Sequence, residues 1–334
     1  MNRAITLKTW PILLLGAALT CGGSRQTSSR SGTIQQAPRT SSRPAVGGRG
    51  AVPEAGVAAC TAPDQRPDGT ATAGVTRFAV IGDYGMAGPD EENVARLVHA
   101  WRPDFVITTG DNNYPSGAAD TIDVNIGQYY HDFISPYLGR YGCGARQNRF
   151  FPSLGNHDWY TAGAQPYLDY FALPGNERYY DVVFGDVHLF ALDSDISEPD
   201  GTGPASVQAA WMQRTAAASR ARWQIAYMHH PPFSSGPHYS TDYMQWPFKA
   251  AGIDVVFAGH DHDYERLTVD GLPYIVSGLG GAPRYAFSEP VNGSQARYAD
   301  TFGAVLVEAT ASTLTARFIA TDGRTIDQLV LSGS

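Results

Sequence analysis

Residues 77–111, RFAVIGDYGMAGPDEENVARLVHAWRPDFVITTGD, hold two apolar runs, each stopped by Gly-Asp, with a helical pattern between them. Arg77-Phe78-Ala79-Val80-Ile81 is rich in strand formers and ends at Gly82-Asp83. Residues 90–101 open with acids and then place apolar residues at helical spacing, with Pro103 just beyond as a stop. Phe105-Val106-Ile107-Thr108-Thr109 is the second run and ends at Gly110-Asp111. Strand, helix and strand in this order predict an α/β fold. The carboxyl ends of its strands, where such folds build sites, then carry polar residues.

The pattern continues outward. Phe150 to Leu154 is a short strand before Gly155-Asn156. Residues 179–193 form a hairpin around Gly185-Asp186, and residues 205–220 an Ala-rich helix. Trp223 to Met228 is a strand ending at His229, and Ile253 to Ala258 another ending at Gly259-His260. A short helix is expected near 240–250 and a strand over Tyr274–Ser277. The C-terminal stretch alternates well enough for two or three antiparallel strands, turning at Asp322-Gly323. Five times a buried strand stops and Asp, Asn or His follows. One such end is explained by local turn chemistry. Five together point to a site.

The chain has 334 residues, 43% hydrophobic and 17% charged, which excludes overall disorder. Its net charge of −8 is unevenly spread. Residues 73–334 carry 16 Lys and Arg against 29 Asp and Glu, whereas residues 22–72 carry six Arg against Glu54, Asp64 and Asp68. An acidic body is a poor partner for nucleic acid or an anionic membrane. A phosphate-handling site in it needs local positive charge, which a metal supplies.

Residues 1–21 read as a signal peptide. Arg3 and Lys8 precede the apolar run Trp10–Thr20, which is shorter than a membrane span. Cys21 before Gly22-Gly23-Ser24 resembles a bacterial lipoprotein site, although Ala18 and Thr20 depart from the usual residues. Export is expected, either as a lipoprotein anchored at Cys21 or as a freely secreted or periplasmic protein. Residues 22–72 are rich in Ser, Thr, Gly, Arg and Pro and read as a disordered tether. Residues 73–334 read as one globular body, the expected catalytic domain if the motifs below form a site. In an exported chain Cys60 and Cys143 can form one disulfide, two free thiols being the alternative. No Cys-x-x-Cys or Cys/His zinc spacing occurs.

Five blocks carry the chemistry: Gly82-Asp83-Tyr84-Gly85; Gly110-Asp111-Asn112-Asn113-Tyr114; Gly155-Asn156-His157-Asp158; Ala226-Tyr227-Met228-His229; and Gly259-His260-Asp261-His262. Six of the nine histidines, His157, His229, His230, His238, His260 and His262, lie in or beside them. Carboxylate, amide oxygen, phenolate and imidazole together suit iron, manganese or zinc.

In these residues the chain resembles the purple acid phosphatases of the calcineurin-like metallophosphoesterases, whose pattern is GD-x-G, GD-x-x-Y, GNH-D/E, V-x-x-H and GH-x-H. The one departure is Ala226 where Val is usual. The resemblance spans the body, and its length is similar to that of the small mammalian-type enzymes. It implies a four-layer α/β/β/α sandwich and two metal ions. Asp83, Tyr114 and His262 would bind the first, Asp111 would bridge, and Asn156, His229 and His260 would complete the second. The Tyr114 phenolate favours Fe(III), and the second ion is divalent iron, zinc or manganese. His230 is an alternative to His229, but the V-x-x-H register and the H-x-P pattern select His229.

The implied activity is hydrolysis of small phosphomonoesters by in-line attack of a hydroxide that the two cations generate. His157 and His238 are expected to bind the phosphate and protonate the leaving group, with Asp158 orienting the His157 ring. An exposed loop residue is the plain alternative for His238, and a turn or supporting hydrogen bond the expectation for Asn112. Two other readings remain at this point: an enzyme of the same fold acting on diesters, nucleotides or pyrophosphate bonds, and a surface-anchored binding protein that keeps its metals for structure.

Overall fold

The computed structural model describes residues 74–333. In chain order the elements are β1 (Thr76–Ile81), α1 (Pro89–Trp101), β2 (Phe105–Thr108), α2 (Gln128–Tyr130), β3 (Phe150–Pro152), α3 (Asn156–Trp159), α4 (Gln165–Tyr170), β4 (Tyr180–Phe184), β5 (Val187–Ala191), α5 (Val207–Ala218), β6 (Trp223–Tyr227), β7 (Val255–Ala258), β8 (Tyr264–Val269), β9 (Leu272–Ser277), β10 (Ser294–Tyr298), β11 (Gly303–Ala309), β12 (Thr313–Ala320) and β13 (Thr325–Ser332). They form two sheets, ordered β13-β12-β11-β1-β2-β3 and β10-β8-β9-β7-β6-β5-β4.

The two-residue period of a strand divides the side chains between two cores. Leu189, Ile225, Tyr227, Val255, Phe257 and Ile275 of the second sheet join Phe78, Val80, Phe105 and Val305 of the first in one buried cluster. Their alternates, Phe190, Ala226, Val256, Ala258, Tyr274 and Val276, turn to the other face and meet Ala209, Met212 and Ala216 of α5. On the first sheet Val94, Ala95 and Val98 give α1 its buried stripe. Sheet therefore packs on sheet, with helices outside, as in the metallophosphoesterase fold. Ser206 caps α5, its Oγ accepting the Ala209 N–H at 3.0 Å.

Within the first sheet β1, β2 and β3 run parallel, and within the second β5, β6, β7 and β9 do. The carboxyl ends of each parallel set therefore lie on one edge of their sheet. The two edges meet: the Asp83 carboxylate after β1 accepts the His260 N–H after β7, and the Thr109 carbonyl after β2 lies 2.9 Å from His229 Nδ1 after β6.

The structure departs from the sequence reading in three places. Residues 240–250 hold only a 3₁₀ turn at Asp242–Met244, because Pro247 stops any longer helix. β8 and β10 were not anticipated. β8 follows the His-Asp-His-Asp run directly and carries Glu265 and Arg266, so its apolar pattern is broken. It is held by polar bonds instead: Tyr264 Oη donates to Asp327 of β13 at 2.8 Å, and Arg266 pairs with the same carboxylate. The disulfide expectation falls partly outside the described residues. Cys143 is disulfide-bonded, and both of the other cysteines, Cys21 and Cys60, lie outside them, as do residues 1–21 and 22–72, where the signal peptide and tether are expected. Among the described residues no helix is long and apolar enough to cross a membrane.

Phe257 lies between the sheets with no exposed surface. Phe257→Ala is expected to cost about 3–5 kcal/mol, read as a lower urea midpoint with an unchanged slope.

Candidate metal centre

The loops that follow β1, β2, β3 and β7 each turn after a glycine, and β6 runs through Met228 to His229 without one. Asp83, Asp111 and His260 take left-handed backbone angles, with φ of 54°, 51° and 72°. Such angles are costly for non-glycine residues and persist where the surroundings enforce them. Gly110 precedes Asp111 at φ 87°, and a Cβ there would lie 2.6 Å from the His229 ring. A Cβ on Gly155 would lie 2.2 Å from an Asp111 carboxylate oxygen. Both glycines let two strand ends approach closely.

These turns gather all seven expected ligand residues in two abutting groups. In the first, Tyr114 Oη lies 2.9 Å from Asp111 Oδ2, 3.3 Å from Asp83 Oδ1 and 3.1 Å from His262 Nε2. In the second, His229 Nε2 lies 2.9 Å from Asn156 Oδ1 and 3.1 Å from His260 Nδ1. Asp111 touches both groups, for its Oδ1 lies 3.4 Å from His229 Nε2 and its Oδ2 faces Tyr114. Asp83, Asp111 and His262 form one set of donor atoms within ligand reach of one another, and His229, His230 and His260 form another.

Burial sets the electrostatics. Asp83 and Asp111 are 0% and 1% exposed. The imidazoles nearest them are His262 for Asp83, and His157 and His229 for Asp111. Burial pushes the Asp111 carboxyl up, against the pull of the His157 charge. Burial, with Asp111 and Asp83 close by, likewise pushes the Tyr114 phenol well above its usual range. Burial lowers His229 to about 4 and, with four neighbouring imidazoles, drives His260 further down. Two buried carboxylates beside a phenol and the neutral His229 and His260 rings leave negative charge that a cation would balance. Neutral imidazoles are also the form that metals bind. The residues present therefore fit a metal pair.

Most of the rings are fixed from behind. His229 Nδ1 lies 2.9 Å from the Thr109 carbonyl, His262 Nδ1 2.6 Å from the Pro283 carbonyl, and His157 Nδ1 2.6 Å from the Pro115 carbonyl. Each then presents Nε2 inward, the arrangement that orients metal-ligating histidines.

The expectation that Asp158 orients the His157 ring is corrected here. Asp158 Oδ2 accepts the N–H groups of Gly155 and Asn112 and the Asn112 amide, and the Pro115 carbonyl holds the ring. Asp158 points back into the body because its peptide closes the first turn of α3. It fixes the Gly155–His157 backbone, whose His157 N–H donates to Asp111 Oδ1 at 2.9 Å. Asn112 is the supporting residue expected, spending its amide on Ser153, Asp158, Thr108 and Tyr84.

His238 stands at the rim, its side chain 40% exposed, with its ring 4.3 Å from that of His260. Asp261 Oδ1 lies 3.0 Å from its Nδ1 and also accepts its backbone N–H. That hydrogen bond raises the His238 pKa above the usual value, against partial burial. Asp261 was not singled out from the sequence, although it stands inside the Gly-His-Asp-His block. Tyr285, stacked on His262 at 4.1 Å, carried no sequence signal.

A family model described as calcineurin-like phosphoesterase matches residues 76–264, the stretch that supplies every residue of both groups. The chain belongs to the calcineurin-like phosphoesterase family. Members act on phosphate esters, and the family implies a two-metal centre where these groups lie. Among curated relatives, tartrate-resistant acid phosphatase type 5 of Rattus norvegicus is 26% identical over 250 residues, covering 63% of this chain and 74% of that protein. Purple acid phosphatase 17 of Arabidopsis thaliana is 26% identical over 241 residues, covering 62% and 69%. Among solved structures, the purple acid phosphatase of yellow lupin seeds superposes with a TM-score of 0.63 at 20% identity, over 77% of this chain and 54% of that one. GAP50, described as the anchor in the inner membrane complex of Plasmodium, gives 0.61 at 18% identity, over 78% and 89%.

Asp261→Asn removes the charge that favours the His238 imidazolium. The His238 pKa is expected to fall, so that the ring deprotonates at lower pH, read by an NMR titration of its ring nitrogens.

Proposed function

We propose that the protein is a phosphomonoesterase of the purple acid phosphatase type. Ferric iron would be held at Tyr114 and a divalent iron, zinc or manganese ion at the second position. The observation that carries this is the Tyr114 hydroxyl, which sits among Asp83, Asp111 and His262 inside the first donor group. A phenolate is a hard donor suited to ferric iron. The similarity to acid phosphatases from an animal and a plant supports a monoester substrate.

When bound, the metal pair supplies charge neutralisation for phosphoryl oxygens and a hydroxide nucleophile. The chain's own residues do the rest. Asp83, Tyr114 and His262 would hold the first ion and Asn156, His229 and His260 the second, with Asp111 placed between the two groups. His157 turns Nε2 toward the space in front of Tyr114, with the rings 4.4 Å apart, where it can hydrogen-bond a phosphate oxygen. His238, kept protonated by Asp261, donates a proton to the leaving oxygen from the rim. The imidazolium is present below its raised pKa and lost as pH rises through it, so its donor role is strongest on the acid side.

Asp158 takes no direct part and instead positions the Gly155–His157 backbone. The apolar run Trp10–Thr20 behind Arg3 and Lys8 supports export, with a lipid at Cys21 as one means of anchoring.

The purified protein is expected to show a visible phenolate-to-iron charge-transfer band and about one iron or more per chain. Tyr114→Phe should abolish the band. At acid pH the protein should hydrolyse phosphomonoesters, Asp111→Asn should be inactive, and His157→Ala and His238→Ala should each lose roughly 10²–10⁴-fold in kcat. A colourless protein that holds only zinc or manganese and prefers a diester would overturn the monoesterase reading and leave the family assignment standing.

A further inference from the structure

His230 is the one imidazole in the donor groups that the family pattern leaves without a role. In an extended strand it would point away from His229. β6, however, ends at Tyr227, and the chain turns through Met228 into Pro231-Pro232, so both rings enter the same space. The His230 ring centroid lies 5.0 Å from that of His229 and 4.5 Å from that of His260. The donor atoms of the three residues all lie within 4.8 Å of one another. An ion with metal–nitrogen bonds of about 2.0–2.1 Å draws such a set together with small ring shifts.

The back of the ring is held as those of His229 and His262 are. His230 Nδ1 lies 3.0 Å from Ser194 Oγ, which also accepts the His230 backbone N–H at 2.8 Å. Ser194 is itself buried, and its carbonyl accepts the Tyr243 hydroxyl at 3.1 Å. With Nδ1 engaged, Nε2 is the atom His230 can offer.

We propose that His230 is a third imidazole ligand of the second metal position, beside His229 and His260, with Ser194 as the residue that positions its ring. This rests on the two-metal reading of the site and not on the substrate assigned to it. Three imidazoles make the second position richer in nitrogen than the first, which is built from Asp83, Asp111, Tyr114 and His262. Imidazole suits zinc and ferrous iron, whereas carboxylate and water suit manganese. The second position should therefore select zinc or ferrous iron over manganese.

The test titrates metal-free full-length protein with zinc, followed by calorimetry and by metal analysis after dialysis against graded chelator. The wild type should take two ions. His230→Ala should weaken one of them by at least ~10-fold, as His229→Ala does, and leave the other unchanged. Tyr114→Phe should weaken the other. Ser194→Ala should act in the same direction as His230→Ala with a smaller effect. In competition with manganese, His230→Ala should narrow the preference for zinc. His230→Asn, with unchanged far-ultraviolet circular dichroism, serves where the alanine variant fails to fold. Two zinc ions held with wild-type affinity in both variants would overturn the assignment. So would a variant with intact zinc binding and a raised KM for phosphate esters, which would place His230 on the substrate. A wild type that binds two zinc ions with His230-dependent affinity but hydrolyses no phosphomonoester would remove the proposed function and support the ligand.

Discussion

The Asp111 carboxylate is the group on which the rest of the site depends. It is buried where two sheet edges meet and has one oxygen for each donor group. Burying an ionised carboxyl is unfavourable unless donors or opposite charge surround it. The His157 N–H, the Tyr114 hydroxyl and the neighbouring imidazoles meet part of that need within the protein. They converge only because β2 ends at a glycine, Asp111 itself takes a left-handed angle, and Gly155 leaves no Cβ in the way. Asp83 repeats the device across the sheets, accepting the His260 N–H with both oxygens.

The second constraint is orientation. Anchors from separate segments hold the Nδ1 atoms of the rings: the carbonyls of Thr109, Pro115 and Pro283, the Asp261 carboxylate and the Ser194 hydroxyl. Backbone carbonyls cannot change rotamer, so three of the rings are set by the path of the main chain. Their Nε2 positions are thus largely fixed before any metal or substrate arrives, which is how a site avoids reorganising during reaction. His238 differs. It stands on an exposed loop and is anchored by a side chain, which suits a group that must meet varied leaving groups.

Much of this was legible in the sequence. β1, β2, β6 and β7 are apolar runs of the right length followed by Gly-Asp, Gly-His or His, and each delivers a residue of the site. β8 was obscured because its stabilisation is polar: Glu265 bonds Ser235 and Ser294, and Arg266 bonds Asp327. The turn that joins it to β9 did carry a signal, since Asp270-Gly271 is a hairpin pair and both residues take positive φ. Asp158 was misassigned because adjacency in sequence to His157 suggested contact, whereas the turn of α3 sends the two side chains to opposite sides. Ser194 and Tyr285 belong to segments far from the five blocks, and only the folded chain brings them to the rings.

The same burial that shapes the site acts in opposite directions on its carboxyls and its imidazoles. Burial is the leading cause of raised carboxyl pKa values at Glu91, Asp111, Asp158, Asp193 and Asp263, with Asp158 at about 7 and Asp263 at about 9. A carboxyl whose folded pKa exceeds its unfolded value binds its proton more tightly in the native state. Its favourable contribution is present in full below the unfolded value of about 4 and is lost as pH rises through the folded one. For Asp158 that window runs from about 4 to about 7, and for Asp263 it extends to about 9. Metal binding acts oppositely on Asp111, since a cation favours its ionised form and reverses the effect of burial. Buried His229 and His230, lowered to about 4 and about 3 from 6.5, act the other way: their contribution is present above the unfolded value and lost as pH falls through the folded one. Asp111, which faces both donor groups, would rely on bound cations to stay charged. Both pH dependences arise from one physical cause, the burial of carboxyls and imidazoles that water would otherwise solvate.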